Sequence, residues 1–172
     1  MGDGLISQRV RRFLPELIYG ANDGIVTTFA VVAGVVGADL SVQIILILGF
    51  ANLFADGVSM GASNVLSLRS REVDRPTLIE ALPYGAATFV GFLAAGLVPL
   101  LAYLLPVPRE SSFIIAVGLA GATLFGVGAS RSALIDRRWY AAGLEMLAIG
   151  ATAGAIAYWV GVLGAYLANG TP

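Results

Sequence analysis

Five stretches of this chain are long and apolar enough to cross a lipid bilayer, and they leave little choice of fold. A spanning helix needs roughly 20 mostly apolar residues, because lipid offers no partner for backbone N–H and C=O groups and the segment must satisfy them internally. The stretches fall at about 17–38, 42–67, 82–105, 112–129 and 142–168. The expected architecture is all-α: a polytopic membrane protein forming one five-helix transmembrane domain over residues 1–172. Its links are the short polar segments GADLS, LRSREVDRPT, PVPRE and RSALIDRRW, with no soluble domain inserted and no visible internal repeat. Only 12% of residues are charged, against about 25% in an ordinary soluble domain. Arg9, Arg11 and Arg12 ahead of an apolar run superficially suggest a signal peptide, but Pro15, Glu16, Asn22 and Asp23 make that run too polar, so it is read as a retained first helix.

Arginine placement sets the topology. Arg9, Arg11 and Arg12 precede the first helix, Arg69, Arg71 and Arg75 follow the second, and Arg131, Arg137 and Arg138 lie between the fourth and fifth. These three segments share one side of a five-helix path and leave only Arg109 opposite. The positive-inside rule places the N-terminus in the cytosol and the C-terminus outside.

Small residues recur at four-residue spacing, as in Ala30 and Gly34, Gly57 and Gly61, Gly118 with Ala122 and Gly126, and Gly150 and Gly154. Such spacing lets helix backbones approach closely in lipid. A chain this short does not easily enclose a pathway alone, which predicts a homodimer. Pro99, late in the third helix, removes a backbone hydrogen bond and is expected to bend it.

The absence of Cys and His excludes thiolate or imidazole metal sites, cysteine nucleophiles and Ser-His-Asp triads. A net charge of −1 and the lack of a basic face give no sign of nucleic-acid binding. Any metal would be held by carboxylates, amides, carbonyls or Met sulfur.

The chemistry-bearing residues lie within the apolar runs. Ionisable groups in hydrocarbon are costly and face a partner or a wet cavity. Asp23 in the first helix, Asp56 in the second and Glu145 at the start of the fifth are of this kind. Asn52, Asp56, Met60 and Asn64 recur every fourth residue and so share one helix face, with Ser59 and Ser63 beside them. The plainer reading of the amides is polar glue between helices; an anion in lipid asks for more. Asp23 and Met60 lie at similar depth on antiparallel helices, and Thr27 offers a hydroxyl one turn beyond Asp23. A carboxylate beside a thioether suits Fe²⁺, Mn²⁺, Co²⁺ or Zn²⁺ better than Mg²⁺ or Ca²⁺. Gly20, Gly24 and Gly57 beside the two acids permit close backbone approach or local unwinding. Glu145, with Arg137 and Arg138 nearby, also fits a helix-start carboxylate or an interfacial ion pair. Glu72, Asp74 and Glu80 alternate with Arg69, Arg71 and Arg75, which reads as a neutralised loop.

At these residues the chain resembles the vacuolar iron transporter family. The stretches that carry the resemblance are YGANDGIVTTFAVVAGVVGA and FANLFADGVSMGAS, with ALPYGAATFVGFLAAGLVPLL and GLEMLAIGATAGAIAYWVG less specific. The resemblance implies a dimer of five-helix protomers with a pathway between the two first helices, exporting Fe²⁺ or Mn²⁺ from the cytosol in exchange for protons. It implies that Asp23 and Met60 are the family's first-helix aspartate and second-helix methionine. A glutamate found in plant members aligns with Asn52, and Asp56, one turn on, is expected to supply that charge instead. The glutamate-rich cytosolic metal-binding domain of many members is replaced by LRSREVDRPT, so this is a short form. The expected location is a multi-pass cell membrane protein in a prokaryote, or a vacuolar-type membrane protein in a eukaryote.

The leading expectation is thus a proton-coupled divalent-metal exporter rather than an enzyme. It has no resident cofactor, and its partners are metal ions, protons and lipid. A passive cation channel would use the same residues without proton coupling. An intramembrane aspartyl protease would need Asp23 and Asp56 to share a proton, and their expected depths differ by roughly 9 Å.

Overall fold

A computed structural model describes residues 3–71, 73, 75–134 and 136–169. Every regular element among them is helical: α1 (Asp3–Gly37), α2 (Val42–Arg69), α3 (Leu78–Leu101), α4 (Arg109–Ser130) and α5 (Trp139–Asn169), with 3-10 turns at Ala102–Leu104 and Arg131–Ala133. All five helices are long and apolar enough to cross a membrane, so the chain is a multi-pass integral membrane protein. Glu72 and Asp74 lie outside the described residues.

The helix limits differ from the apolar runs where local chemistry, rather than hydrophobicity, sets the end. α3 starts at Leu78, ahead of the apolar run, because Thr77 and Glu80 form a reciprocal cap. The Thr77 hydroxyl accepts from the Glu80 N–H at 3.4 Å, and the Thr77 N–H donates to Glu80 Oε2 at 2.8 Å. α1 starts at Asp3, well before residue 17, and passes through Pro15 without stopping. Arg9, Arg11 and Arg12 therefore lie on the helix rather than ahead of it. α1 ends in a left-handed turn at Asp39, φ 55°, where the Leu40 N–H reaches the Val35 carbonyl at 3.1 Å and the Asp39 N–H reaches Val36 at 3.0 Å. This paired closure satisfies the last carbonyls of the helix and turns the chain directly into α2.

α1 is the central helix and touches all four others, most extensively α3 and then α5. Its fit to α3 depends on bare backbone. A Cβ at Gly20 would strike the Thr88 carbonyl, and one at Gly24 the Phe92 carbonyl. Close approach, not unwinding, is thus the use made of the glycines flanking Asp23, and α1 runs unbroken past them. One buried cluster, including Val32, Ile45, Leu53, Phe92 and Leu100, joins α1, α2 and α3. A second, with Ile25, Phe29, Ala95, Leu124 and Met146, joins α1 to α3, α4 and α5. The small-residue pairs divide accordingly. Gly57 and Gly61 meet α3, Gly150 meets Leu124 and Gly154 meets Phe29, whereas Gly118 and Gly126 face open space.

Candidate cation site

The polar ladder on α2 is positioned by the stripe next to it. Ile45, Gly49, Leu53, Gly57, Gly61 and Val65 are buried, repeat every fourth residue and press that face inward. Asn52, Asp56, Met60 and Asn64 each precede one of these residues, so the ladder lies along the edge of the packed face, half-buried. From there Met60 and Asn64 line the groove between α2 and α1.

That groove opens into a cavity of about 430 Å³, lined by Pro15, Glu16 and Tyr19 from α1 and by Met60, Ser63, Asn64, Ser67 and Leu68 from α2, with Arg71 at its rim. Glu16, Tyr19 and Asp23 share one face of α1, at spacings of three and four residues. The cavity therefore leads from the arginine-bearing ends of the helices to Met60, and stops one turn of α1 short of Asp23. Asp23 and Asp56 are close enough for the charge of one to act on the other. No hydrogen bond joins their carboxylates among the described residues, so a shared-proton dyad is absent from this geometry. Nor does any arginine among the described residues pair with either acid.

The other members of the ladder have separate tasks. Asn64 Nδ2 donates to the Thr88 hydroxyl at 2.6 Å, and that hydroxyl donates to the Tyr84 carbonyl at 3.2 Å. Asn64 thus ties α2 to α3 while lining the cavity. The Asn52 side-chain nitrogen is buried without a partner, a state that costs free energy until an acceptor arrives. Thr27 is less free than its position on the Asp23 face suggests, because its hydroxyl donates to the Asp23 backbone carbonyl at 2.8 Å.

Glu145 lies elsewhere. It is the seventh residue of α5, past the first turn, so the helix-start reading does not apply to it. Its carboxylate pairs with Arg137 at 3.2 Å and approaches Arg131 at 4.0 Å. The cavity also exposes a residue that sequence reasoning passed over. Glu16 has a buried carboxylate oxygen with no hydrogen-bond partner. Its signal was the seven-residue interval to Asp23, two turns of one helix face, obscured by treating Glu16 only as an interruption of an apolar run.

No group of three or more acidic side chains that could hold a metal occurs among the described residues. Of the residues singled out in the sequence, Met60 and Asn64 line the cavity, whereas Asp23, Asp56 and Asn52 lie outside its lining. Carboxylate and thioether donors of this kind suit borderline divalent ions better than Mg²⁺ or Ca²⁺.

Acids without an arginine partner among the described residues, held within a bundle of membrane-crossing helices beside a cavity that ends at Met60, are the mark of proteins that pass ions across a bilayer. The chain belongs to the VIT family, whose sequence model matches residues 14–75 and 71–162. It is 49% identical over 55 residues to a protein of Toxoplasma gondii (strain ATCC 50861 / VEG) named "Vacuolar iron transporter", a match covering 32% of this chain and 18% of that protein. A protein of the same name from Plasmodium falciparum (isolate 3D7) is 46% identical over 54 residues, 31% of this chain and 20% of the other. "Vacuolar iron transporter homolog 3" of Arabidopsis thaliana is 30% identical over 105 residues, 53% of this chain and 52% of that protein. The matched segments thus span from under a fifth to about half the length of these relatives. These relatives are named as transporters, not enzymes.

Proposed function

We propose that this chain is a proton-coupled transporter of divalent transition metal, with Fe²⁺ as first substrate and Mn²⁺ as second, moving metal out of the cytosol as a homodimer with its N-terminus on the cytosolic side. The observation that carries this reading is the pair Asp23 and Asp56, electrostatically in reach of one another and without an arginine partner among the described residues, beyond a cavity that ends at Met60.

The coupling follows from charge. Two carboxylates in a medium of low dielectric repel each other and cannot both stay ionised and empty at low cost. A divalent cation neutralises the pair, and so do two protons. Each occupant displaces the other, and the alternation makes a proton gradient drive metal movement. Met60 adds a soft donor that favours Fe²⁺, Mn²⁺ and their neighbours over Mg²⁺ or Ca²⁺. Glu16, at the arginine-rich mouth, gathers cations into the cavity. A second copy set against the open α1–α2 groove would double the donor set. The names of the relatives support iron as the substrate.

The test is flux of Fe²⁺ and Mn²⁺ in proteoliposomes with and without an imposed proton gradient. Acceleration by the gradient, abolished in Asp23→Asn, is the expected result. Metal flux that ignores the gradient would convert the reading to a passive channel, and flux unchanged by Asp23→Asn would overturn the site.

A further inference from the structure

A second groove lies on the opposite flank of α1 from the cavity that ends at Met60, and none of the residues assigned to transport lines it. It measures about 380 Å³ and lies between α1, the 3-10 turn Arg131–Ala133 and α5. Its floor is apolar, formed by Ile18, Leu134, Met146 and Ile149, and its rim carries Arg131 and Glu145. The buried amide oxygen of Asn22 faces it without a hydrogen-bond donor.

From these features we infer that the groove is a binding site for an anionic phospholipid with a hydroxyl-bearing headgroup, held with its phosphate at Arg131 and Arg137. The charge balance calls for an anion. Glu145 is shared by two guanidiniums, Arg137 at 3.2 Å and Arg131 at 4.0 Å, and one carboxylate cannot neutralise both. The segment Arg131–Glu145 carries three arginines against Asp136 and Glu145, a net charge of +1. A phosphodiester offers the oxygens that the forked guanidinium geometry accepts.

The position calls for a lipid. Trp139 and Tyr140, next to these arginines, are both exposed, and such rings settle at the headgroup level of a bilayer. The apolar floor runs inward from that level, where an acyl chain lies and where a free inorganic ion would leave the space unfilled. The hydroxyl of the headgroup supplies the donor that Asn22 lacks. The arginine-rich side is also the side that faces the anionic leaflet under the positive-inside rule.

The experiment compares the purified full-length protein in nanodiscs of phosphatidylcholine alone and of phosphatidylcholine with phosphatidylglycerol. Native mass spectrometry reads retained lipid and thermal unfolding reads the linked stability. Phosphatidylglycerol is expected to be retained roughly tenfold over phosphatidylcholine, since each arginine near an anionic surface adds several-fold. The preference is expected to vanish in the Arg131→Gln/Arg137→Gln double variant. Ile149→Trp, which fills the groove without touching charge, is expected to expel the lipid while the arginines remain. Equal retention of both lipids, or retention unaffected by both variants, would overturn the proposal. Displacement of the lipid by inorganic phosphate alone would also overturn it, by showing that the site recognises a free anion. None of these readouts requires metal transport, so their failure leaves the cation site untouched.

Discussion

Asn64 and Thr88 meet across the α2–α3 interface through a 2.6 Å hydrogen bond, one turn along α2 from Met60. Their side chains thereby fix the edge of the cavity wall to the most buried region of α3. Interhelical bonds of this kind contribute on average about 0.6 kcal/mol and at most about 1.7 kcal/mol. Asn64→Ala is therefore expected to lower stability by about 1 kcal/mol, with most of that loss absent when Thr88→Val is already present. A double-mutant cycle by reversible unfolding in mixed micelles checks this.

Asp23→Asn and Asp56→Asn remove charge without changing shape. Because the two carboxylates repel, each substitution is expected to leave the unfolding midpoint unchanged or raised, while metal flux falls by more than the roughly 10–100-fold typical of losing a mere supporting residue. Parallel measurement of flux and thermal unfolding separates the two effects. A loss of stability in both variants would mark the acids as structural.

Met60→Leu conserves volume and should cost less than about 1.5 kcal/mol in stability. The thioether is lost, so Fe²⁺ and Mn²⁺ are expected to lose their advantage over Mg²⁺ in competition. Competitive flux assays with paired metals provide the measurement. Equal impairment of all cations would assign Met60 to packing, a role consistent with its contact with the α1–α2–α3 cluster.

Glu16→Gln is expected to raise the metal concentration needed for half-maximal flux several-fold, with maximal flux little changed. It lies at the mouth, two turns from Asp23, and acts on capture rather than on exchange. Initial rates over a range of metal concentrations distinguish the two. A fall in maximal rate alone would exclude the capture role.

Gly24→Ala and Gly118→Ala make a matched pair. The first forces a methyl group onto the Phe92 backbone, whereas the second adds one in open space. Overpacking of this sort costs typically about 1–3 kcal/mol, while Gly118→Ala is expected to be neutral or to stabilise by up to about 1 kcal/mol through helix propensity. Unfolding midpoints of the two variants provide the comparison.

The number and order of the helices were legible because bilayer thickness imposes a length that hydropathy alone reveals. The helix starts were less so. Thr77 and Glu80 carry the S/T-x-x-E signature of a capped helix three residues apart, but both lie outside the apolar run that hydropathy marks. Pro15 read as an interruption, yet α1 continues through it. At the site, the four-residue recurrence along α2 gave the face on which Asp56 and Met60 lie, since helical period is a local property. The bond from Asn64 to Thr88, the orphaned amide of Asn52 and the pairing of Glu145 with Arg131 depend on which helices become neighbours. No single-helix periodicity encodes that.

Pro15 and Tyr19 border both openings, one on either flank of α1. The central helix is consequently a partition with a chamber on each side. Tilting its arginine-bearing half toward α2 would shrink the room beside Met60 and enlarge the room beside Met146, and the reverse tilt would do the opposite. Whatever fills one compartment thus acts as a wedge against the widening of the other.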